Sequence, residues 1–146
     1  MVEAYTDGSF FRRIPIWAFV VVKGGRRVAS DGGTLGGPVC DMQQIGGELF
    51  AVMQALAWAK KNNQPVWIVH DYEGVRQWVA DLWHEKPWQR NNRWSREYRR
   101  YIFANRAWLA GMRSVRSHTG IHWNEVVDKE ARAVVEAAGL VNHHVW

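Results

Sequence analysis

Hydrophobic positions along the chain fall into two periods. A short β-type run covers Val2 to Thr6, and a stronger one, Ile-Trp-Ala-Phe-Val-Val-Val over Ile16 to Val22, is rich in β-branched and aromatic residues. Lys23-Gly24-Gly25-Arg26 reads as a hairpin turn into a third strand around Arg27 to Gly32. Three consecutive antiparallel strands are therefore expected, followed by a glycine-rich loop over 32–37. The period then changes. From Glu48 to Lys60, Leu49, Val52, Met53, Leu56 and Ala59 or Ala57 recur at helical spacing, and Asn62-Asn63 and Pro65 end the helix. Val66 to Val69 is a compact buried strand that runs into His70-Asp71; Val75, Trp78, Val79 and Leu82 mark another helix. Strand and helix alternating across short links predict parallel pairing with crossover helices. Further on, Trp94, Tyr98, Tyr101, Ile102, Asn105 and Trp108 form an aromatic face opposed by Arg90, Arg93, Arg96 and Arg100. Such a stripe reads as packing, Tyr98 and Trp108 included. Met112 to Ser117 predicts a last strand. Glu125 to Ala138 predicts a terminal helix with Val126, Ala133, Val134 and Ala137 inward, ended by Gly139. The sum is an α/β domain with a mixed five-stranded sheet.

Composition narrows the class. The 146 residues fit one domain, 1–146, with no linker, repeat or low-complexity stretch. Ten tryptophans are many for this length; most are expected in the core, although flat indole faces also stack on bases. The net charge of +5 is unevenly spread: residues 76–116 carry ten Lys/Arg against three Asp/Glu, while residues 1–75 are balanced at seven each. A segregated basic block suggests a face meeting a polyanion, with a solvated helix as the plain alternative. No stretch reaches the roughly 20 apolar residues of a membrane span. Met1 leads directly into a strand pattern, so a cytoplasmic protein with no membrane partner is expected. The single cysteine, Cys40, excludes an internal disulfide and argues against a cysteine-based zinc site.

Acidic residues at element boundaries change the picture further, because open α/β sheets place their sites at strand ends. Asp7 stands at or near the end of the first strand, Asp71 directly after the fourth, Glu48 at the start of the first helix behind Gly46-Gly47, and Asp128 early in the last helix. Each has a structural alternative: Asp7 a turn before Gly8, Asp71 a helix cap, Glu48 and Asp128 partners of a helix dipole. Taken singly those roles suffice. All four in this order are far less expected by chance. Clustered carboxylates repel one another unless a cation neutralises them, and hard divalent ions take such oxygens while keeping waters and substrate phosphates in their shell. Two such ions suit in-line phosphoryl displacement. A basic surface beside that centre reads as a nuclease.

At this point the chain resembles the type 1 ribonuclease H family over nearly its whole length. The segments that carry the likeness are YTDGSF, GGELFAVMQALAWA, VWIVHDYEG and HTGIHWNEVVDKEA. The last is the most specific, with a loop His, an Asn-Glu pair and an Asp ten residues beyond the His. The resemblance implies an RNase H-like fold with helices on both faces of the sheet, and a quartet of Asp7, Glu48, Asp71 and Asp128 holding two Mg²⁺ ions, with Mn²⁺ able to replace them. It also implies His118 as the loop histidine that assists proton transfer or product release. The substrate would be an RNA/DNA hybrid cut in its RNA strand by a monomer, giving 5′-phosphate and 3′-hydroxyl ends. Recognition of 2′-hydroxyls across a shallow minor groove points to Gly8, Ser9, Gln44 and Glu48, with Gln44 standing where the family usually has Asn.

The chain also departs from the family. FFRRIPIW after Ser9 lacks the Asn-Pro-Gly-Pro segment of many relatives, leaving Arg12 and Arg13 as substitutes for its phosphate contacts. Residues 84–100 fall where members carry a basic protrusion or a shorter loop, and there Trp83, Trp88 and Arg90 are candidates to cradle the DNA strand, with packing and solvation as the alternative. His118 and His122 flank Thr119-Gly120, a loop signal that argues against zinc. Two rival functions remain open on sequence: a DNA nuclease or resolvase of the same fold, and a module that binds nucleic acid without cutting it.

Overall fold

The computed structural model describes residues 1–89, 92–115, 122–136 and 143–146, with side chains of the last helix described through Ala133. Its sheet runs in the order β5-β4-β1-β2-β3-β6. Strands β1 (Val2–Phe11), β2 (Ile14–Lys23) and β3 (Arg26–Gly36) form the antiparallel meander; β4 (Val66–His70) and β5 (Leu109–Ser114) add in parallel on the other side of β1. The sixth strand is the pair His144–Val145, parallel to β3 and beyond the five expected, so the C-terminal VNHHVW segment ends docked on the sheet.

Strand alternation sorts the core into two layers. In β2, Trp17, Phe19 and Val21 face one layer, and Ile16, Ala18, Val20 and Val22 face the other. The first layer is covered by α1 (Gln44–Lys61) with α3 (Arg93–Ala104) against it; the second by α4 (His122–Glu136), which brings in Val127 and Ala131. Helices thus lie on both faces.

Several boundaries differ from expectation for identifiable reasons. β1 continues through Gly8 and Ser9 to Phe11, because β2 supplies a partner at every position. β3 likewise carries the glycines expected as a loop: Gly32 and Gly33 pair with Ala18 and Trp17. The expected helix over Val75–Leu82 is instead a short α2 (Gly74–Gln77) and a 3₁₀ turn (Ala80–Trp83). The Val75 carbonyl that would close an α-helical turn accepts the Tyr98 hydroxyl at 2.5 Å, and Val79 N–H donates to Arg76 O instead, at 3.1 Å. The Trp78 carbonyl similarly accepts Arg99 Nη1 at 3.2 Å, and Leu82 N–H turns to Val79 O. Tyr98 is fully buried, as its place in the aromatic stripe predicts, and Trp108 packs half-buried against the same layer. On α4, Ala133 is exposed, contrary to expectation. Its inward face runs through Asn124, Val127 and Ala131, an i, i+3, i+7 series, with Val126 half-buried at its edge. Gly139 and Ala137 lie outside the described residues. Among the described residues no helix is long and apolar enough to cross a membrane.

Candidate active site

Pairing register brings the first two acids together. Asp7 is no turn residue: it sits within β1 opposite Ala18, on a central strand. The parallel ladder sets Glu3, Ala4 and Tyr5 against Trp67, Ile68 and Val69. Continued two residues, that register places Asp7 beside Asp71, just past the end of β4. The N-cap position of α2 is Glu73, two residues beyond Asp71, and its side chain makes no cap.

The third acid arrives by close backbone packing. α1 begins at Gln44, four residues before the expected start, so Glu48 lies in its second turn and is buried rather than complementing a dipole at its tip. What sets its position is a pair of glycines. A Cβ on Gly8 would stand 2.2 Å from Glu48 N and 2.6 Å from Gly47 C; one on Gly47 would stand 2.1 Å from Ile16 O. Without side chains at these two positions, the helix backbone lies directly on β1 and β2, and Glu48 is delivered alongside Asp7. Gly8, a candidate for substrate contact, lines the cleft, and it also admits α1.

One carboxylate oxygen each from Asp7, Glu48 and Asp71 lie within 4.8 Å of one another. Asp128, on the first half of α4, lines the same cleft of about 270 Å³ and is held by Arg132 Nη2 at 2.8 Å, one helical turn on. Burial, followed by the negative charges of Asp71 and Asp128, pushes the Asp7 carboxyl up to about 8. Burial, then Asp71 and Asp7, raises Glu48 well above the usual carboxylate range. Tyr72 is raised as well, by burial and then by Glu48. Glu48 Oε2 is buried without a hydrogen-bond partner among the described residues. Buried polar atoms are normally satisfied, and mutually repelling acids need a counter-charge. Oxygen-only donors at this spacing fit a hard divalent cation.

The other expected site residues divide. Ser9 lines the cleft with Gly8. Gln44 begins α1 beside Gly8, with its carbonyl near that glycine and its exposed side chain outside the cleft lining. Trp83 packs half-buried against the core beneath the Arg76 guanidinium, 4.8 Å from its ring, and does not reach the cleft. Trp88 is exposed and packs edge-on against Trp78, ring centroids 5.5 Å apart. Arg12 and Arg13 form the two-residue turn between β1 and β2, both with positive φ (49° and 65°), a geometry that matches the twist of a hairpin. His118 and Arg90 lie outside the described residues. The Asn-Glu pair of the last segment, which carried the likeness but was given no role, also lines the cleft: Asn124, buried, and Glu125. Their signal was the spacing to Asp128, four and three residues on, which puts all three on one side of a helix.

No family model matches the chain. A protein named Ribonuclease H from Neorickettsia sennetsu is 28% identical over 149 residues, covering 94% of this chain and 93% of the relative. Among solved structures, RNase H1 from the halophilic archaeon Halobacterium salinarum superimposes with a TM-score of 0.74 at 21% identity, covering 93% of this chain and 98% of that one. LC11-RNase H1, solved in complex with an RNA/DNA hybrid, gives a TM-score of 0.68 at 12% identity over 92% and 99% of the two chains. The chain is thus similar along nearly its whole length to a protein named Ribonuclease H, and it shares its fold with the RNase H1 structures.

Proposed function

We propose that the chain is a ribonuclease H: an endoribonuclease that hydrolyses the RNA strand of RNA/DNA hybrids with two Mg²⁺ ions, leaving 5′-phosphate and 3′-hydroxyl ends. One catalytic domain over residues 1–146 does this work, as a cytoplasmic monomer. The observation that carries the reading is the approach of Asp7, Glu48 and Asp71 oxygens to within 4.8 Å in a cleft that Asp128 also lines. The relative from Neorickettsia sennetsu and the hybrid-bound LC11 enzyme support the same activity.

Asp7 would contact both ions, Glu48 and Asp71 the first, and Asp128 the second. Bound divalent ions supply activation of the attacking water and neutralisation of charge at the scissile phosphate. The chain's own part is to fix the oxygens. Asp7 is paired with Ala18 of β2 just beyond the β1–β4 ladder, and Glu48 is seated by the glycine contact with β1, so both carboxylates issue from fixed backbone. Gly8 and Ser9 present backbone at the cleft, and with Glu48 and Gln44 they are assigned the 2′-hydroxyl contacts that mark an RNA strand. Asn124, buried at the cleft wall, is positioned to donate its amide to a phosphate or sugar oxygen. His118 takes the loop role that the resemblance gives it, while Trp83 and Arg90 are assigned to the DNA strand.

The test is cleavage of matched RNA/DNA hybrid, RNA duplex and DNA duplex across a Mg²⁺ titration, repeated with Mn²⁺, with product ends mapped. Metal-dependent cutting confined to the RNA strand of the hybrid is expected. Preferential cutting of DNA would replace the reading with a DNA nuclease, and tight hybrid binding without product would replace it with a binding module.

A further inference from the structure

Strand alternation sets a second group of polar side chains behind the acids. Thr6 has the parity of Val2, Ala4 and Gly8 on β1, and His70 that of Val66 and Ile68 on β4, so both side chains enter the layer that α1 covers. The β1–β4 ladder joins Ala4 to Ile68 and Tyr5 to Val69, and its next step places Thr6 beside His70, one position before Asp7 and Asp71. Glu48 reaches the end of the same seam from α1. Its backbone stands against Gly8, and after burial the charges that act most on its carboxyl are Asp71 and then Asp7. All three residues are buried, Thr6 and His70 completely. Thr6 Oγ1, Glu48 Oε2 and both ring nitrogens of His70 have no hydrogen-bond partner among the described residues.

Buried polar atoms are normally satisfied, so a cluster of unpartnered ones along one seam points to a ligand. A cation in the cleft does not answer them all, because Thr6 and His70 do not line it. Burial pushes the His70 ring down to about 4; the Tyr72 backbone comes near enough to oppose that shift without entering hydrogen-bond geometry. The neutral imidazole therefore carries one N–H and one bare nitrogen, the threonine hydroxyl both donates and accepts, and the carboxylate oxygen accepts. Donors and acceptors mixed in this way suit water, which when buried makes about three hydrogen bonds to such groups. We propose that Thr6 and His70 hold a buried water hydrogen-bonded to Glu48 Oε2, and that both are positioning residues for the Glu48 carboxylate. Partners of this kind fix the orientation of a metal ligand from its far side. The inference rests on the proposed function in taking Glu48 as a ligand of a divalent ion.

The water is read in metal-free protein by magnetisation transfer from long-lived internal water to the Thr6 methyl and His70 ring protons. Wild type should show the transfer, and its absence overturns the site. Thr6→Val keeps the side-chain shape and removes the hydroxyl. In a dry cluster that change relieves an unbonded group and raises the melting temperature; with the water in place it leaves partners unmet and lowers it. Mg²⁺ affinity is followed by the carboxyl carbon resonance of Glu48, independently of turnover. Thr6→Val and His70→Leu should each raise the Mg²⁺ midpoint about tenfold, as loss of an outer-shell partner does. Because both act through one water, the double variant should shift the midpoint no further than the worse single one. A Thr6→Val protein that melts later than wild type, a midpoint it leaves unchanged, or additive shifts in the double variant overturns the proposal. Should His70→Leu not fold, the melting and midpoint of Thr6→Val decide. If Mg²⁺ binds at Glu48 and the variants shift its midpoint while wild type cuts no hybrid, the nuclease reading fails and the water site stands.

Discussion

Replacing Asp7 by Asn separates the folding role of the acid cluster from its catalytic one. Asp7 is pushed from the ordinary 3.8 up to about 8, so between those pH values the folded protein keeps a proton that the unfolded chain releases. The sign follows from linkage. Below about pH 4 both states are protonated and the cluster costs nothing; as pH rises toward 8 the unfolded state is increasingly favoured. At pH 7 the 3.2 units above 3.8 correspond to about 4 kcal/mol of lost stability, at about 1.36 kcal/mol per unit. Asn removes that term and keeps the shape, while burying an amide takes back part of the gain. A net gain of about 2 kcal/mol raises the metal-free melting temperature by about 5 °C at pH 7 for a chain of this size, and the gain should vanish near pH 4. Mg²⁺ should narrow the difference by stabilising the wild type more than the variant. The assay is thermal melting by circular dichroism at pH 4, 5.5 and 7, in chelator and in Mg²⁺, with hybrid cleavage measured alongside. Cleavage should be abolished. A metal-free variant melting with wild type at pH 7, or gaining as much from Mg²⁺, would refute the claim that burial and the neighbouring acids disfavour the charged Asp7 carboxylate in the folded protein.

Gly47→Ala places a methyl 2.1 Å from Ile16 O, so α1 must lift from β2 by about 1 Å. A loss of about 2–3 kcal/mol in urea unfolding is expected, together with a fall in cleavage that extra Mg²⁺ restores only in part, because Glu48 no longer reaches Asp7. Removing residues 143–146 deletes the His143 Nδ1 to Thr34 Oγ1 hydrogen bond of 2.8 Å and the contacts of Trp146 with Phe50 and Trp94. The truncated protein should melt earlier by about 2–3 kcal/mol of stability and still cut hybrid once folded at low temperature.

The sequence carried the order of elements and the four acids, because hydrophobic period and boundary position are local properties. It carried less of what depends on pairing. Gly8, Gly32 and Gly33 look like breakers when read along the chain, yet a neighbouring strand supplies their ladder partners and sheet formation overrides local preference. The break between α2 and the following 3₁₀ turn is set by Tyr98 and Arg99, whose side chains take carbonyls some twenty residues away. Ala133 points to solvent because the sheet meets α4 through Asn124, Val127 and Ala131, a choice among helix faces that its apolar content alone leaves open. Trp83 depends on the fold in another way: sequence leaves it between ligand contact and packing, and it stands half-buried against core residues with the Arg76 guanidinium over its ring.

Acids that repel must be held mechanically, and the four are held by unequal means. Asp7 is paired with Ala18 of β2, just beyond the ladder that joins β1 to β4. Glu48 is fixed through a backbone contact that two missing Cβ atoms permit, and it ends with one oxygen buried and unbonded. Asp128 instead projects from a helix seated by Val127 and Ala131, and its charge is answered by the solvent-exposed Arg132. Exposed pairs of that kind contribute little to stability, so Arg132 can be given up cheaply when another cation arrives. Rigidity and buried carboxyls that hold their protons are therefore concentrated on the Asp7 and Glu48 side of the cleft, whereas the Asp128 side has a replaceable counter-ion. Under the proposed function, such a site would keep Asp7, Glu48 and Asp71 in place before substrate enters and leave Asp128 free to exchange partners as charge builds up on the scissile phosphate.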